Sequence, residues 1–179
     1  MDKLKLAIVG CGRISDCYRD VFQKLSDSVS VVFAVDKDIE KAKNFAADFS
    51  CRYTDCYEDI LEEELDVIHL CLPHYLHKPY SVLALEHGKN VLTEKPMAMS
   101  LQEADEMLEA EKRSGKLLGC IFQTRYNESV SILKRRLEEG IYGKLLTASS
   151  ILTWNRPDSY YTGSDWKGTW EYEGGGTII

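Results

Sequence analysis

The feature that most constrains the fold of this chain is a series of short apolar segments without polar alternation. A strand needs such a run when both of its faces are buried, as in a parallel sheet covered by helices on both sides. Five runs of this kind predict strands at Leu4–Val9, Val29–Val35, Val67–Leu72, Asn90–Thr93 and Leu117–Phe122.

Amphipathic helix patterns lie between these runs. Strands that alternate with helices predict a doubly wound, Rossmann-type parallel sheet with right-handed crossovers. Ser100 and Glu103 have the spacing of a capping box at the start of one helix. The predicted buried faces consist of Ile14, Tyr18, Val21, Phe22 and Leu25, then of Ile39, Ala42, Ala46 and Phe49, and later of Leu101, Ala104 and Leu108.

The pattern changes after Phe122. A helix capped by Asn127 is predicted to run to about Glu139, and Leu145–Trp154 has the partial alternation of a further strand. Residues 177–179 are predicted to begin another strand. We therefore expect a Rossmann domain over 1–122, followed by the incomplete beginning of a second domain over 123–179.

Composition excludes several classes of protein. The 179 residues include 22 basic and 29 acidic side chains, so the net charge of -7 argues against a nucleic-acid partner. The apolar stretch Leu4–Val9 is too short for a signal peptide or a membrane span, which predicts a cytoplasmic protein without a membrane partner. The six cysteines form no C-x-x-C pair, and we expect them to be reduced.

A glycine-rich turn from Gly10 to Ser15 connects the first strand to the first helix. In a dinucleotide-binding turn the first glycine permits a tight bend and the second permits close approach of a diphosphate. Ser15 takes the place of the third glycine, and the free N–H groups of Arg13 and Ile14 would hold the diphosphate. The alternative is an ordinary strand-to-helix turn.

Asp36 ends the second strand, where a carboxylate accepts hydrogen bonds from the hydroxyls of the adenosine ribose. The same charge repels a 2′-phosphate, which predicts NAD rather than NADP. Lys37 could tolerate that phosphate, so NADP remains open. The alternative role for Asp36 is that of a turn residue.

Glu94, Lys95 and Pro96 follow the strand Asn90–Thr93 at the carboxyl edge of the sheet, where ligands bind in open α/β folds. The Lys95 ammonium can hydrogen-bond a substrate hydroxyl or a developing alkoxide, and Glu94 can orient and tune it. Lys95 is therefore the catalytic candidate. The alternative is a solvated surface pair.

Histidines raise the question of a metal site. His74 and His77 are three residues apart, but no third ligand of a suitable type is near them in the sequence, and we predict no metal. His69 lies within a buried strand and is expected to be a satisfied core histidine. His87 is expected at a helix end.

Several of these motifs together resemble the Gfo/Idh/MocA family of oxidoreductases: GCGRIS after strand one, the acid that ends strand two, PHYLH, VLTEKPMA and QTRYN. The resemblance implies that Lys95 contacts substrate and nicotinamide and takes part in proton transfer, and that His77 lies by the cofactor. His74 replaces the usual asparagine of the family. The implied cofactor-binding residues are Gly10, Gly12, Arg13, Ile14, Asp36, Lys37, Leu72, Pro73, His74, His77, Glu94, Lys95 and Gln123.

The segment from Trp154 to Gly176 is similar to that of family members that act on nucleotide-linked amino sugars or their uronic acids. Lys167 replaces the usual arginine, which keeps the charge but loses the bidentate grip on an anion. In the family, an acid–base histidine and an orienting aspartate follow this segment, and we expect them beyond Ile179. The resemblance also implies that residues 123–179 begin an α+β substrate domain with an open antiparallel sheet. The implied substrate-binding residues are Lys95, Arg125, Trp154, Arg156, Tyr161 and Trp166.

The resemblance implies an NAD-dependent dehydrogenase that acts on a sugar or cyclitol hydroxyl and forms a homo-oligomer, a dimer or tetramer, at full length. We expect residues 1–179 alone to bind NAD without turnover. Two alternatives remain: an NAD-dependent glycosidase of the same family, which oxidises the sugar only transiently, and a non-catalytic NAD-binding module.

Overall fold

A computed structural model describes residues 2–174 of the chain. Its strands are β1 (Leu4–Val9), β2 (Val29–Val35), β3 (Arg52–Thr54), β4 (Val67–Leu70), β5 (Asn90–Thr93) and β6 (Leu118–Cys120). They form one parallel sheet in the order β3-β2-β1-β4-β5-β6. The order reverses direction between β1 and β4, as in a Rossmann sheet, and confirms the predicted doubly wound, parallel sheet.

The α-helices of the described residues connect these strands or follow them. None of these helices is long and apolar enough to cross a bilayer. Short 3-10 turns cover Glu58–Ile60, His74–Leu76 and Gln123–Tyr126. The α-helices are α1 (Arg13–Lys24), α2 (Ile39–Phe49), α3 (His77–Glu86), α4 (Leu101–Ser114), α5 (Glu128–Glu138) and α6 (Ser159–Thr162).

The strand predictions succeed where a strand is buried on both faces. The predicted bounds of β1, β2 and β5 are confirmed, while β4 and β6 are shorter than the runs Val67–Leu72 and Leu117–Phe122. No apolar run predicted the strand β3. It lies at the sheet edge and is not buried, so it needs no continuous apolar run.

The two faces of the sheet explain the unbroken apolar run in β1. Leu6 and Ile8 belong to a core cluster that also contains Phe45 of α2. Ala7 and Val9 belong to a second cluster on the opposite face, which includes residues of α3 and α4. Successive residues of β1 are therefore buried in different layers.

The helix faces agree only in part with the predictions. In α2, Ala42 and Ala46 are buried as expected. In α1, Phe22 is buried, but Ile14, Val21 and Leu25 are exposed, so the predicted face was too wide. In α4 the predicted face was wrong: Leu101 and Leu108 are exposed, because the helix packs on α3 and β6 through another stripe. That stripe contains Met107 and Ala110.

The predicted capping box at the start of α4 is confirmed with one difference. The Ser100 hydroxyl accepts a hydrogen bond from the Glu103 backbone N–H at 3.1 Å. The Glu103 carboxylate accepts from the N–H of Met99 at 3.0 Å rather than from that of Ser100. The helix start is thus fixed from both sides.

The chain forms two compact units. The first contains residues 2–121 together with 168–174, and the second contains residues 122–167. No residue of the second unit is buried. The strand predicted for Leu145–Trp154 was wrong: this segment is irregular, because no other strand in the described part of the chain pairs with it. The strand predicted at 177–179 lies outside the described residues.

Candidate functional site

The glycine turn after β1 is shaped by two different glycines. Gly10 has φ +93°, and a Cβ there would lie 2.4 Å from the carbonyl oxygen of Cys71. At Gly12, in contrast, an added Cβ would meet no atom within 4 Å. Gly10 therefore permits the close approach of the Cys71 backbone, while Gly12 leaves open space in front of α1. That space suits a phosphate group.

The start of α1 can bind an anion at this open space. Gly12 caps the helix without a side-chain hydrogen bond, so no side chain occupies the first amides. The N–H groups of Arg13 and Ile14 lie in the first turn, where a helix has no internal acceptors for them. Burial, aided by the charge of Asp36, raises the pKa of the Cys11 thiol to about 12, so the turn adds no thiolate charge.

Ser15 takes the place predicted for the third small residue. It is fully buried, and its hydroxyl donates to the Gly12 carbonyl at 2.6 Å. A larger side chain would have no room at this position. The serine therefore permits close packing of α1 and also fixes the turn.

Asp36 lies beside the glycine turn at the end of β2. Its Oδ2 accepts from the N–H of Cys11 at 2.8 Å, and its Oδ1 accepts from the N–H of Asp38 at 2.9 Å. Each carboxylate oxygen has a second lone pair, so these bonds leave acceptor capacity for a ribose hydroxyl. Lys37, the next residue, is exposed. Asp36 is thus both a turn residue and a candidate ribose ligand.

His77, the first residue of α3, is fully buried behind the ends of β4 and β5. Its Nδ1 lies 2.7 Å from the carbonyl oxygen of Pro96, and its Nε2 lies 2.9 Å from that of Leu72. Burial lowers the pKa of His77, and a neutral ring can donate only one of these bonds. The ring thus links the segment after β4 to that after β5. Its contact with a cofactor stays a prediction.

His74 lies in the turn after Pro73 and is half-buried. Its Nδ1 donates to the carbonyl oxygen of Glu173 at 2.9 Å. Next to it the rings of Tyr75 and Tyr172 are 5.0 Å apart. The segment from 168 to 174 therefore packs on the end of β4, within the first unit. Burial lowers the pKa of His74, which favours the neutral ring.

Lys95 is exposed, and its ammonium forms no hydrogen bond or ion pair with residues 2–174. We expected the carboxylate of Glu94 to orient this ammonium, but the two groups form no ion pair among the described residues. Glu94 is buried and turns inward: Oε1 accepts from the Tyr18 hydroxyl, and Oε2 accepts from the Lys95 backbone N–H at 3.3 Å. The ammonium is therefore free to meet a substrate.

His69 in β4 is buried as predicted, but only one of its ring nitrogens has a hydrogen-bond partner in the described part of the chain: Nε2 lies 3.8 Å from the Cys71 sulfur. Its Nδ1 has no hydrogen-bond partner among the described residues, and its ring packs edge-on against Tyr18 at 4.4 Å. Burial lowers its pKa to about 4. His87, by contrast, ends α3 as predicted. Residues 2–174 contain no group of three or more potential metal ligands.

The second unit contains a cluster of aromatic and cationic side chains. Both Arg156 and Lys167 lie over the ring of Tyr160, at 4.5 Å and 4.1 Å from its centroid. Arg156 also lies 4.3 Å from the ring of Trp154, and Lys167 lies 5.8 Å from that of Trp166. Neither cation forms an ion pair with a described residue. Two unpaired cations on one ring can attract an anion.

The other predicted residues of the second unit lie near this cluster in the chain or at the start of the unit. Tyr161 follows Tyr160 and packs edge-on against its ring at 5.1 Å. Gln123 and Arg125 belong to the 3-10 turn that follows β6. Arg125 stacks over Phe122 at 4.7 Å.

Comparison with known proteins gives consistent matches. A family model described as "Oxidoreductase family, NAD-binding Rossmann fold" matches residues 4–122. Among curated proteins, the chain is 29% identical to scyllo-inositol 2-dehydrogenase (NADP(+)) IolU of Bacillus subtilis, covering 90% of this chain and 49% of that protein. It is 26% identical to D-glucoside 3-dehydrogenase of Escherichia coli, covering 82% and 42%.

Among solved structures, the WlbA dehydrogenase from Chromobacterium violaceum, in complex with NADH and UDP-GlcNAcA, is similar with a TM-score of 0.92 and 32% identity. The match covers 95% of this chain and 50% of that one. WlbA from Bordetella pertussis gives a TM-score of 0.92 at 28% identity. The chain thus spans about half the length of the relatives that it matches.

Proposed function

We propose that this chain, which belongs to the Gfo/Idh/MocA family of oxidoreductases, is the cofactor-binding part of an NAD-dependent dehydrogenase for a sugar or polyol. The observation that carries the proposal is the shared position of three features. The open turn at Gly12, the carboxylate of Asp36 and the free ammonium of Lys95 follow β1, β2 and β5 at one carboxyl edge of a parallel sheet.

The residues of this edge fit a dinucleotide. The first amides of α1 and the space at Gly12 would hold the diphosphate, and Asp36 would accept from the ribose. The carboxylate would repel a 2′-phosphate, which favours NAD over NADP. The relative IolU is named as NADP-dependent, so the comparison of both cofactors is a direct test.

Bound nicotinamide would accept a hydride from the carbon that carries the reacting hydroxyl. The proton of that hydroxyl would pass to a general base, for which the family resemblance implies a histidine, and the Lys95 ammonium would stabilise the oxygen that remains. The ammonium donates a hydrogen bond, and its charge opposes that of the developing alkoxide. Its exposure and lack of a described partner support this role.

We further propose that the substrate carries an anionic group, as a nucleotide-linked amino sugar or uronic acid does. The unpaired cations Arg156 and Lys167 on the ring of Tyr160 support this choice. The UDP-GlcNAcA in the complex of the similar WlbA also supports it. A neutral cyclitol is the second candidate, because the similar IolU is named as an inositol dehydrogenase.

The proposal includes the division into an NAD-binding domain over 1–122 and the beginning of a substrate domain over 123–179. It also includes a homo-oligomer at full length. A glycosidase with the same cofactor would regenerate NAD in each cycle, whereas a dehydrogenase releases NADH. Detection of free NADH after one turnover separates the two.

The test is NADH production by the full-length protein with a panel of nucleotide-linked uronic acids, free sugars and inositols. Lys95→Ala is expected to lower turnover by about 10²-fold to 10⁴-fold, the usual effect of losing an acid–base group, with little change in NAD affinity. Lys24→Ala, at the exposed end of α1, is the matched control. Near-normal turnover of Lys95→Ala would remove Lys95 from the mechanism.

A further inference from the structure

We propose that Tyr18 and Glu94 form a positioning pair that holds the main chain of Lys95 at the carboxyl edge of the sheet. The inference rests on the proposed function, because that function gives Lys95 its task. Neither residue of the pair would need to touch the substrate. The pair would act through the place that it gives to Lys95.

The burial of Glu94 is unusual for a carboxylate, because only 5% of the residue is exposed. It forms no ion pair with a described residue. Its backbone is fixed as well, since its N–H donates to the carbonyl oxygen of Leu70 at 3.1 Å. A buried carboxylate without a cation depends on its hydrogen-bond donors.

Two donors reach this carboxylate. The Lys95 backbone N–H donates to Oε2 at 3.3 Å, and the Tyr18 hydroxyl donates to Oε1. Tyr18 thus supplies a side-chain donor to the Glu94 carboxylate, whereas Thr93 and Cys120 donate to the Glu94 backbone carbonyl. Burial and the neighbouring carboxylate raise the pKa of Tyr18, so its hydroxyl keeps the proton that it donates.

The ring of Tyr18 is itself held in place. It packs edge-on against His69 at 4.4 Å and stacks on Phe22 at 5.9 Å. Tyr18 lies on α1, the helix that starts at the glycine turn, whereas Glu94 and Lys95 follow β5. The Tyr18 hydroxyl thus links α1, whose first amides would hold the diphosphate, to Glu94 and Lys95 after β5. Without it, Glu94 has to find another donor or leave its buried place.

The first measurement is hydrogen exchange of the Lys95 amide by NMR, in the 179-residue chain without cofactor. Tyr18→Phe removes one hydroxyl and keeps the ring. We expect exchange to become about tenfold faster or more, the effect of losing a hydrogen bond to a charged group. In a Glu94→Met background, which lacks both carboxylate oxygens, Tyr18→Phe should change exchange by less than about twofold.

The second measurement separates positioning from a general structural effect. In the full-length dehydrogenase, Tyr18→Phe should lower kcat about tenfold and leave the KM for NAD within about twofold. Tyr57→Phe is the matched control, because it removes a buried hydroxyl that donates to the carbonyl oxygen of Tyr80 at 3.0 Å. It should change neither the Lys95 exchange nor kcat.

The outcomes distinguish the two proposals. Unchanged exchange at Lys95 in Tyr18→Phe, or an equal change in the Glu94→Met background, overturns the positioning pair. Equal losses of kcat in Tyr18→Phe and Tyr57→Phe also overturn it. A protein that oxidises no sugar or polyol overturns the proposed function, while the exchange measurement still decides whether Tyr18 holds the loop.

Discussion

The two compact units differ in how their apolar residues find partners. In the first unit, strand runs lie between helices on both faces of the sheet and form two buried clusters. In the second unit, no described residue is buried, although Leu146, Ile151 and Leu152 are as apolar as the strands of the first. An apolar segment forms a strand only where the backbone of another strand can pair with it through hydrogen bonds. The comparison predicts that substitutions have unequal effects in the two units.

The largest effect is expected at Gly10 in the first unit. An alanine there would bring its Cβ to 2.4 Å from a backbone oxygen, at a φ of +93°. We expect Gly10→Ala to lower the free energy of unfolding by more than about 4 kcal/mol, a range typical of such steric conflict. Urea unfolding followed by circular dichroism measures it. A loss below about 1 kcal/mol would mean that the turn can move.

The next effect is a pH dependence that arises in the core of the first unit. Burial lowers the pKa of His69 to about 4, below its ordinary value of 6.5. Between these values the unfolded chain binds a proton that the folded chain does not. The free energy of unfolding should therefore have its full value above about pH 6.5 and fall by about 3 kcal/mol as the pH approaches 4.

His69→Phe keeps a ring between Tyr18 and Phe22 but cannot bind the proton. The free energy of unfolding of this variant, measured from pH 7 to pH 4.5, should fall less steeply than that of the wild type. An identical slope in both proteins would show that other groups cause the loss of stability in acid.

A smaller effect concerns the choice of cofactor at the edge of the same sheet. Wild-type protein should bind NADH more tightly than NADPH. Asp36→Ala should narrow the difference between the two binding free energies by roughly 1.5 to 3 kcal/mol. Fluorescence titration with both cofactors measures it. Because Asp36 also accepts from the N–H of Cys11, Asp36→Asn is a useful control that keeps one acceptor oxygen. Equal affinities in the wild type would contradict the prediction.

The smallest effect is expected in the second unit. Gly140 also has a positive φ, of +71°, but an added Cβ would meet nothing within 4 Å. Gly140→Ala should therefore cost only about 1 to 2 kcal/mol in its own turn and leave the unfolding midpoint of the first unit unchanged. A shift as large as that of Gly10→Ala would show that the two units unfold together.

Side-chain patterns predicted the structure best where a pattern has only one structural solution. The ends of β1, β2 and β5 follow from apolar runs, and the capping box at Ser100 follows from its spacing. The edge strand β3 has no such run. The inward turn of Glu94 was also missed, because adjacency in the chain to Lys95 suggested an ion pair.

The hydrogen bond between Tyr18 and Glu94 could be predicted only in part from the sequence. A tyrosine on the apolar face of a helix must satisfy its hydroxyl, so a buried partner could be expected. The identity of that partner depends on how α1 crosses the sheet. The same holds for His77, whose two carbonyl neighbours belong to segments that the sheet brings together.

The contact between Gly10 and the carbonyl oxygen of Cys71 limits how this turn can vary in evolution or in the laboratory. The conflicting atom belongs to the backbone, so no side chain chosen at position 71 removes it. A second mutation at the contact cannot suppress a defect of Gly10→Ala. In a saturation screen for folded protein, position 10 should therefore accept glycine alone. Small residues at position 12, where the space is open, should leave the protein folded and weaken only its binding of the cofactor.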